Sequence, residues 1–235
     1  MSQVKHFAAN EAGRDFVVGD LHGCREMFDQ LLTAIEFDQT TDRMFSVGDL
    51  IDRGPDSLGC LALLQEHWFH AVRGNHEDIL LTIQAQGTHD NWHWWIQNGG
   101  AWARGLTKEE LAEHAANIQA LPLVISVGEG KDRFNVIHAE FFGDEATLDA
   151  GDFHERTRQQ LMWGRQLIGE TDPARIRHIS RLSITFCGHS IVPDICKIGS
   201  QIYIDTGAFI SHWSEGADSG ALTVIEPKTN SVWRK

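Results

Sequence analysis

DFVVGDLHG, residues 15–23, is an apolar run closed by Gly-Asp and followed at once by an imidazole. An apolar run closed by Gly-Asp recurs in MFSVGDLIDRG at 44–54, and one closed by Gly-Asn and followed by an imidazole in FHAVRGNHE at 69–77. Each run is short and rich in β-branched and aromatic residues, as a buried strand is, and each precedes a stretch with helical spacing. Cys24–Ile35 places Met27, Phe28, Leu31, Leu32 and Ile35 on one helical face. A Gly54-Pro55 turn then leads to a helix expected from about Ser57 to His67, with Leu58, Leu61 and Leu64 turned inward. The third run is followed by a helix bearing Ile79, Leu80 and Ile83. Strand, loop and helix repeated three times predict parallel β-α-β units. In such sheets ligands gather beyond the carboxyl ends of the strands, so Asp20, Asp49 and Asn75 are delivered to one edge.

Further along, Thr88–Ala120 reads as helical and is rich in tryptophan, with Trp92, Trp94, Trp95 and Trp102 around Asn98-Gly99-Gly100. A packed helical cap is the plainer reading of this segment; a wall or lid beside the site is the sharper one. From Leu121 onward β-branched runs dominate: Leu121–Val127, Phe134–His138, Ile184–Gly188, Gln201–Asp205 and Ala221–Glu226, interrupted by a helical stretch around 153–180. They predict a second sheet stacked on the first. The expected architecture is α/β, two mixed β-sheets forming a sandwich flanked by helices. One domain over residues 1–235, with 88–120 as its helical cap, is the economical organisation.

At 42% hydrophobic and 23% charged, the 235-residue chain has a globular composition, which excludes disordered and fibrous classes. A net charge of −13 opposes nonspecific binding to nucleic acid or anionic membrane, so any phosphate site must supply its own local positive charge. The four cysteines (Cys24, Cys60, Cys187, Cys196) form no C-x-x-C pair and read as reduced thiols of a cytoplasmic protein. The N-terminal residues lack the apolar core of a signal peptide, and no apolar run reaches the roughly 20 residues that span a bilayer.

Six side chains at the ends of short blocks have metal-ligand chemistry: Asp20, His22, Asp49, Asn75, His138 and His189. Hard oxygens mixed with imidazole nitrogens suit Mn, Fe, Zn or Ni, and the absence of thiolate argues against a structural zinc knot. Singly, each is as readily a turn residue or a satisfied core histidine. Together, with Asp20 and His22 two residues apart on one side of an extended turn, they predict a centre assembled by the fold.

The blocks GDLHG, GDLIDRG and RGNHE, followed by two isolated histidines, resemble the phosphoprotein phosphatase branch of the calcineurin-like metallophosphoesterases, closest to the serine/threonine phosphatases of the bacteriophage lambda type. The likeness extends to Asn98-Gly99-Gly100, Leu161–Arg165 and Tyr203–Ala208. It implies the calcineurin-like metallophosphoesterase fold and two divalent ions, Mn²⁺ foremost. Asp20 and His22 would hold the first ion, Asn75, His138 and His189 the second, and Asp49 would bridge them. Ions roughly 3.5–4 Å apart can share a water, lower its pKa and hold phosphorus in line for direct attack.

On the same resemblance, His76 is the candidate general acid for the leaving alkoxide, held by Asp52. Arg53 and Arg73 are candidate phosphate clamps, and Arg165 matches a third phosphate-contacting arginine. Glu77, Asp78, His67, His70, His89 and His93 carry no assigned role, and the surface or a supporting position is expected for them. The implied activity is hydrolysis of phosphoserine or phosphothreonine in a phosphoprotein or phosphopeptide. The alternatives are a symmetrical bis(5'-nucleosyl)-tetraphosphatase, a branch that commonly lacks the counterpart of Asp52, and a broad-specificity phosphodiesterase. A scaffold that has lost catalysis is disfavoured, because no ligand is missing. Oligomeric state is not legible.

Overall fold

The computed structural model describes residues 3–179, 181–212 and 220–235. Along the chain come β1 (Val4–Phe7), β2 (Asp15–Val18), α1 (Arg25–Ala34), β3 (Arg43–Ser46), α2 (Ser57–Ala62), β4 (Phe69–Ala71) and α3 (Asn75–Gln86). The middle holds α4 (His89–Gln97), a 3-10 turn over Gly100–Gly105, and α5 (Lys108–Gln119). The remainder is β5 (Val124–Val127), β6 (Phe134–Ile137), α6 (Glu145–Ala150), α7 (Glu155–Trp163), α8 (Pro173–Ile179), β7 (Ile184–Cys187), β8 (Cys196–Ile198), β9 (Gln201–Tyr203), β10 (Thr223–Glu226) and β11 (Ser231–Arg234). The helical stretch read over 153–180 is thus α7 and α8, and residue 180 lies outside the described residues.

These strands form two mixed sheets, in the orders β11-β10-β2-β3-β4 and β1-β5-β6-β7-β9-β8. The three repeated units pair in parallel as expected, β2 with β3 and β3 with β4. In the second sheet β6, β7 and β9 are also parallel. The sheets face one another through Val17, Phe45 and Val72 on one side and Ile125, Val136 and Phe186 on the other. Phe45 and Phe134 meet edge to face across the gap at 5.8 Å. Strands buried on both faces, such as β5 and β6, lose the polar alternation of a half-exposed strand and read as continuous apolar runs.

Helices cover the outer faces. Phe28, Leu31, Leu61, Leu80 and Ile83 pack α1, α2 and α3 onto the first sheet, while Leu148, Leu161 and Met162 pack α6 and α7 onto the second. The cap is terminated by side-chain chemistry: Thr88 Oγ1 accepts the Asn91 amide at the start of α4, and Thr107 with Glu110 forms a capping box at α5. Among the described residues no helix is long and apolar enough to cross a membrane.

Three strands escape the sequence reading. β1, β8 and β11 are edge strands of three or four residues with partly exposed positions, so they carry little apolar periodicity. Leu58 also differs, at 42% exposed. Its helix stops at Ala62 and tightens into a 3-10 turn over Leu63–Gln65, so the buried face is Cys60, Leu61 and Leu63.

Candidate metal centre

The residues that follow β2, β3, β4, β6 and β7 converge. Asp49, 2% exposed, is central: its Oδ2 lies 3.4 Å from His22 Nε2 and its Oδ1 3.4 Å from His138 Nε2. Asn75 Oδ1 lies 2.9 Å from His138 Nε2 and 2.8 Å from His189 Nδ1. Ligand atoms of Asp49, His138 and His189 all fall within 4.8 Å of one another, and so do those of His22, Asp49 and His76. Asp20 belongs to neither trio, but its buried carboxylate accepts the His189 amide, 3.0 Å to Oδ2. A side chain on Gly188 would collide with that carboxylate, so glycine lets the strand-β7 loop come this close. His22, Asp49 and His189 adopt left-handed φ values of 42°, 49° and 65°, which turn the side chains inward at a conformational cost.

The donor set fits cations. His22 Nδ1 donates to the Ile51 carbonyl and His138 Nδ1 to the Val47 carbonyl, leaving each Nε2 lone pair aimed inward. Burial lowers the pKa of both rings, and burial followed by the neighbouring His138 lowers His189 to about 3. The imidazoles therefore stay neutral, as metal ligands must. The carboxyls move the other way. Burial and then the Asp205 and Asp49 charges push Asp20 well above the usual range. Burial likewise pushes Asp205 up to about 6, against the Gly207 amide that it accepts. Crowded buried carboxylates and inward lone pairs both lack the same partner, positive charge. The guanidinium of Arg53 partly supplies it, with Nη1 2.8 Å from His22 Nε2.

His76 Nδ1 donates to Asp52 Oδ2 at 2.7 Å, and its amide donates to Asp49 Oδ1 at 3.0 Å. Burial alone would lower the His76 pKa, but the Asp49 charge and the Asp52 bond outweigh it and raise the group. With Nδ1 committed to Asp52, Nε2 is the nitrogen free to carry a transferable proton. Arg53 stacks over Phe209 at 4.6 Å, and Arg165 bonds His189 through Nε to Nε2 and Nη2 to the carbonyl, both at 3.1 Å.

Arg73 is not brought to this group. Its Nη2 donates to the Gln119 and Leu121 carbonyls, and its side chain lines a polar cavity of about 400 Å³ with Gln3, Asp78 and Arg158. The peptide after β4 directs residue 73 toward the end of α5, away from the position expected of a phosphate clamp, while residues 75 and 76 enter the site.

Several contributors were not assigned from sequence. Glu77 takes the supporting position rather than the surface one: it is fully buried and accepts the amides of Asp49, Leu50 and Gly74 at 2.8–2.9 Å. It fixes the loop after β3, and burial with the nearby Asp49 raises its pKa to about 7. The one signal for it is its place at the third residue of a helix, where a carboxylate reaches back to amides. Asp205 follows β9 just as Asp20 follows β2, a repetition that could have drawn attention to it. From the tryptophan segment, Trp95 Nε1 and Trp102 Nε1 donate to the two oxygens of Asp52.

Comparisons with known proteins agree with this geometry. The calcineurin-like phosphoesterase family profile matches residues 16–193. The chain is 38% identical over 202 residues to serine/threonine-protein phosphatase 1 of Salmonella typhimurium, covering 82% of this chain and 86% of that protein. It is 45% identical over 74 residues to a symmetrical bis(5'-nucleosyl)-tetraphosphatase of Nitrosospira multiformis, covering 31% of this chain and 26% of that protein. The fold superposes on a protein serine/threonine phosphatase from Saccharomyces cerevisiae with a TM-score of 0.67 at 15% identity, covering all of this chain and 83% of the other. Two stacked mixed sheets, ligands at the ends of parallel strands and a profile match over most of the length together establish that the chain belongs to the calcineurin-like phosphoesterase family.

Proposed function

We propose that the chain is a metal-dependent phosphatase that hydrolyses phosphoserine and phosphothreonine monoesters in proteins or peptides. The observation that carries the reading is the buried His76–Asp52 pair beside the ligand cluster, joined at 2.7 Å. An alkoxide leaving from phosphoserine needs a proton, whereas a nucleotide leaving from a dinucleoside tetraphosphate is a phosphate and does not. A positioned acid is therefore a device for monoesters with poor leaving groups. The relative that spans most of the chain carries a protein-phosphatase name, and the tetraphosphatase likeness covers under a third of it.

In this reading Asp20 and His22 would hold one divalent ion and Asn75, His138 and His189 a second, with Asp49 available to both. When bound, the ions supply the activated water and polarise the phosphoryl oxygens. Mn²⁺ suits the mixed oxygen and nitrogen set, as Fe, Zn and Ni do. Arg53 contacts His22 and Arg165 contacts His189, and both neutralise the oxygens of the incoming phosphate. His76, its Nδ1–H held by Asp52, delivers the Nε2 proton to the departing serine oxygen as the phosphorus–oxygen bond breaks. The chain works as one metallophosphoesterase unit over residues 1–235, with 88–120 as its cap. Its free cysteines, three of them buried, fit a reducing compartment, and we place its activity in the cytoplasm.

The test compares Mn²⁺-reconstituted protein on a phosphoserine peptide, a phosphotyrosine peptide and diadenosine tetraphosphate. Highest kcat/KM on the phosphoserine peptide is expected. A preference for the dinucleotide would replace this function with the tetraphosphatase reading.

A further inference from the structure

The Asp52 carboxylate is enclosed by three N–H donors. Its Oδ2 accepts from His76 Nδ1 at 2.7 Å and from Trp95 Nε1 at 2.8 Å, and its Oδ1 accepts from Trp102 Nε1 at 2.7 Å. Asp52 and Trp95 are fully buried, and Trp102 is half-buried. The indoles come from α4 and the 3-10 turn behind it, 43 and 50 residues beyond Asp52. They meet edge to face at 5.9 Å, and Trp92 backs Trp95 in the same way at 5.4 Å, so each ring is held by its neighbour.

The segment between the two indoles is shaped for this contact. Gly99, at φ 117°, offers its carbonyl to the Arg53 amide at 3.1 Å. A Cβ on Gly99 would stand 2.7 Å from the Arg53 nitrogen and 3.1 Å from the Asp52 Cβ. One on Gly100 would stand 2.5 Å from the Trp95 ring. The cap is thus laid directly on the Asp52–Arg53 backbone, where Asp52 itself sits at φ 73°.

We propose that Trp95 and Trp102 are positioning residues for the proton donor: their indole N–H bonds lock the Asp52 carboxylate in the plane that orients the His76 imidazole. This rests on His76 acting as the general acid in the function proposed above. The terminal torsion of an aspartate is broad, so one bond to His76 would leave the carboxylate free to rock. Indole is a donor only and carries no charge. It adds direction without a counter-ion that would compete with His76 for Asp52, as an arginine there would. A misplacement of about 1 Å at a reacting group can cost two orders of magnitude in rate, so rigidity at this point has kinetic leverage.

The full chain with Mn²⁺ is compared with its Trp102→Phe, Trp95→Phe, His76→Asn and His76→Asn/Trp102→Phe variants on a phosphoserine peptide and on p-nitrophenyl phosphate. Trp102→Phe is expected to lower kcat on the peptide by roughly tenfold, and by several-fold more than on p-nitrophenyl phosphate, with KM within about twofold. Once His76 is Asn, adding Trp102→Phe is expected to cost less than about twofold, because residues acting through one group are not additive. Equal losses on both substrates, or a full second loss in the double variant, overturn the proposal while a leaving-group-selective His76→Asn leaves the function intact. Equal losses in His76→Asn itself remove the acid role, and the proposal falls with it. A readout independent of turnover uses ¹⁵N-indole spectra, in which Asp52→Asn should shift two of the eight tryptophan N–H signals; unmoved Trp95 and Trp102 signals refute the bonds.

Discussion

His138 Nε2 and Asn75 Oδ1 face each other at 2.9 Å, although the ring's own N–H is already committed to the Val47 carbonyl. Burial lowers the pKa of His138, so the neutral ring offers a lone pair to an oxygen that also offers one. Two acceptors pointed at one another are unfavourable until a cation stands between them. The same holds around Asp49, where two imidazole nitrogens lie 3.4 Å from its oxygens.

Asp49→Asn should abolish turnover and also remove the thermal stabilisation that Mn²⁺ confers, because this carboxylate faces both groups of ligands. For wild-type protein at 100 times the dissociation constant, that stabilisation is about 2.7 kcal/mol. Melting curves with and without Mn²⁺ check it, and a variant that keeps the wild-type shift would remove Asp49 from the centre.

Chelation should inactivate the protein, and added Mn²⁺ should restore it. The physical basis is that the buried Asp20 and Asp205 carboxyls, both raised by burial, need neutralisation to act as a phosphate site rather than to repel the substrate. Activity that survives in protein shown by elemental analysis to be metal-free would refute the two-ion reading.

His76→Asn should depress kcat on a phosphoserine peptide by about 10²-fold or more and on p-nitrophenyl phosphate far less, since p-nitrophenolate leaves without a proton. Steady-state kinetics on the pair of substrates reads the difference directly, and matched losses would exclude the acid role.

Arginines 53 and 73 should behave differently despite their equivalent places in two motifs. Arg73→Ala loses bonds to the Gln119 and Leu121 carbonyls, and a stability loss of about 2 kcal/mol with little change in KM is expected. Arg53→Ala should instead lower kcat/KM by about 10²-fold, as removal of a charge-assisted phosphate contact does. Urea unfolding and kinetics of both variants settle it, and a KM defect in Arg73→Ala with intact stability would reverse the assignment.

Asp42, at the opposite end of β3 from Asp49, anchors the starts of β2 and β3. It accepts the Arg14 amide at 2.8 Å and Arg14 Nη2 at 2.6 Å. Burial alone would raise its pKa, but the Arg14 bonds outweigh it, so the folded value lies below 3.8. A depressed folded pKa stabilises fully above the unfolded value and less as pH falls through the folded one. Asp42→Asn should therefore cost about 2 kcal/mol at neutral pH, and the cost should shrink below about pH 4. A pH-independent difference in urea midpoints would contradict this.

Much of the fold is written in contiguous residues. Apolar runs closed by Gly-Asp or Gly-Asn at 19–20, 48–49 and 74–75 specify strand, turn and helix locally, and parallel pairing then follows from chain connectivity. The six candidate ligands stand out for the same reason, since each lies within four residues of the end of its strand. The edge strands β1, β8 and β11 were not, because an edge buries too little to leave an apolar pattern.

What tertiary structure alone decided is which neighbours those residues meet. Arg53 and Arg73 look alike in sequence, yet one guanidinium reaches His22 and the other the carbonyls at the end of α5. For Glu77 the sequence left the surface and a supporting position equally open, and the packed chain has it collect the amides that shape the Asp49 loop. Trp95 and Trp102 read as cap packing, and their N–H groups close on Asp52 from 43 and 50 residues away. Ligand identity follows from local chemistry, whereas side-chain direction depends on contacts between distant segments, and only the packed chain brings those together.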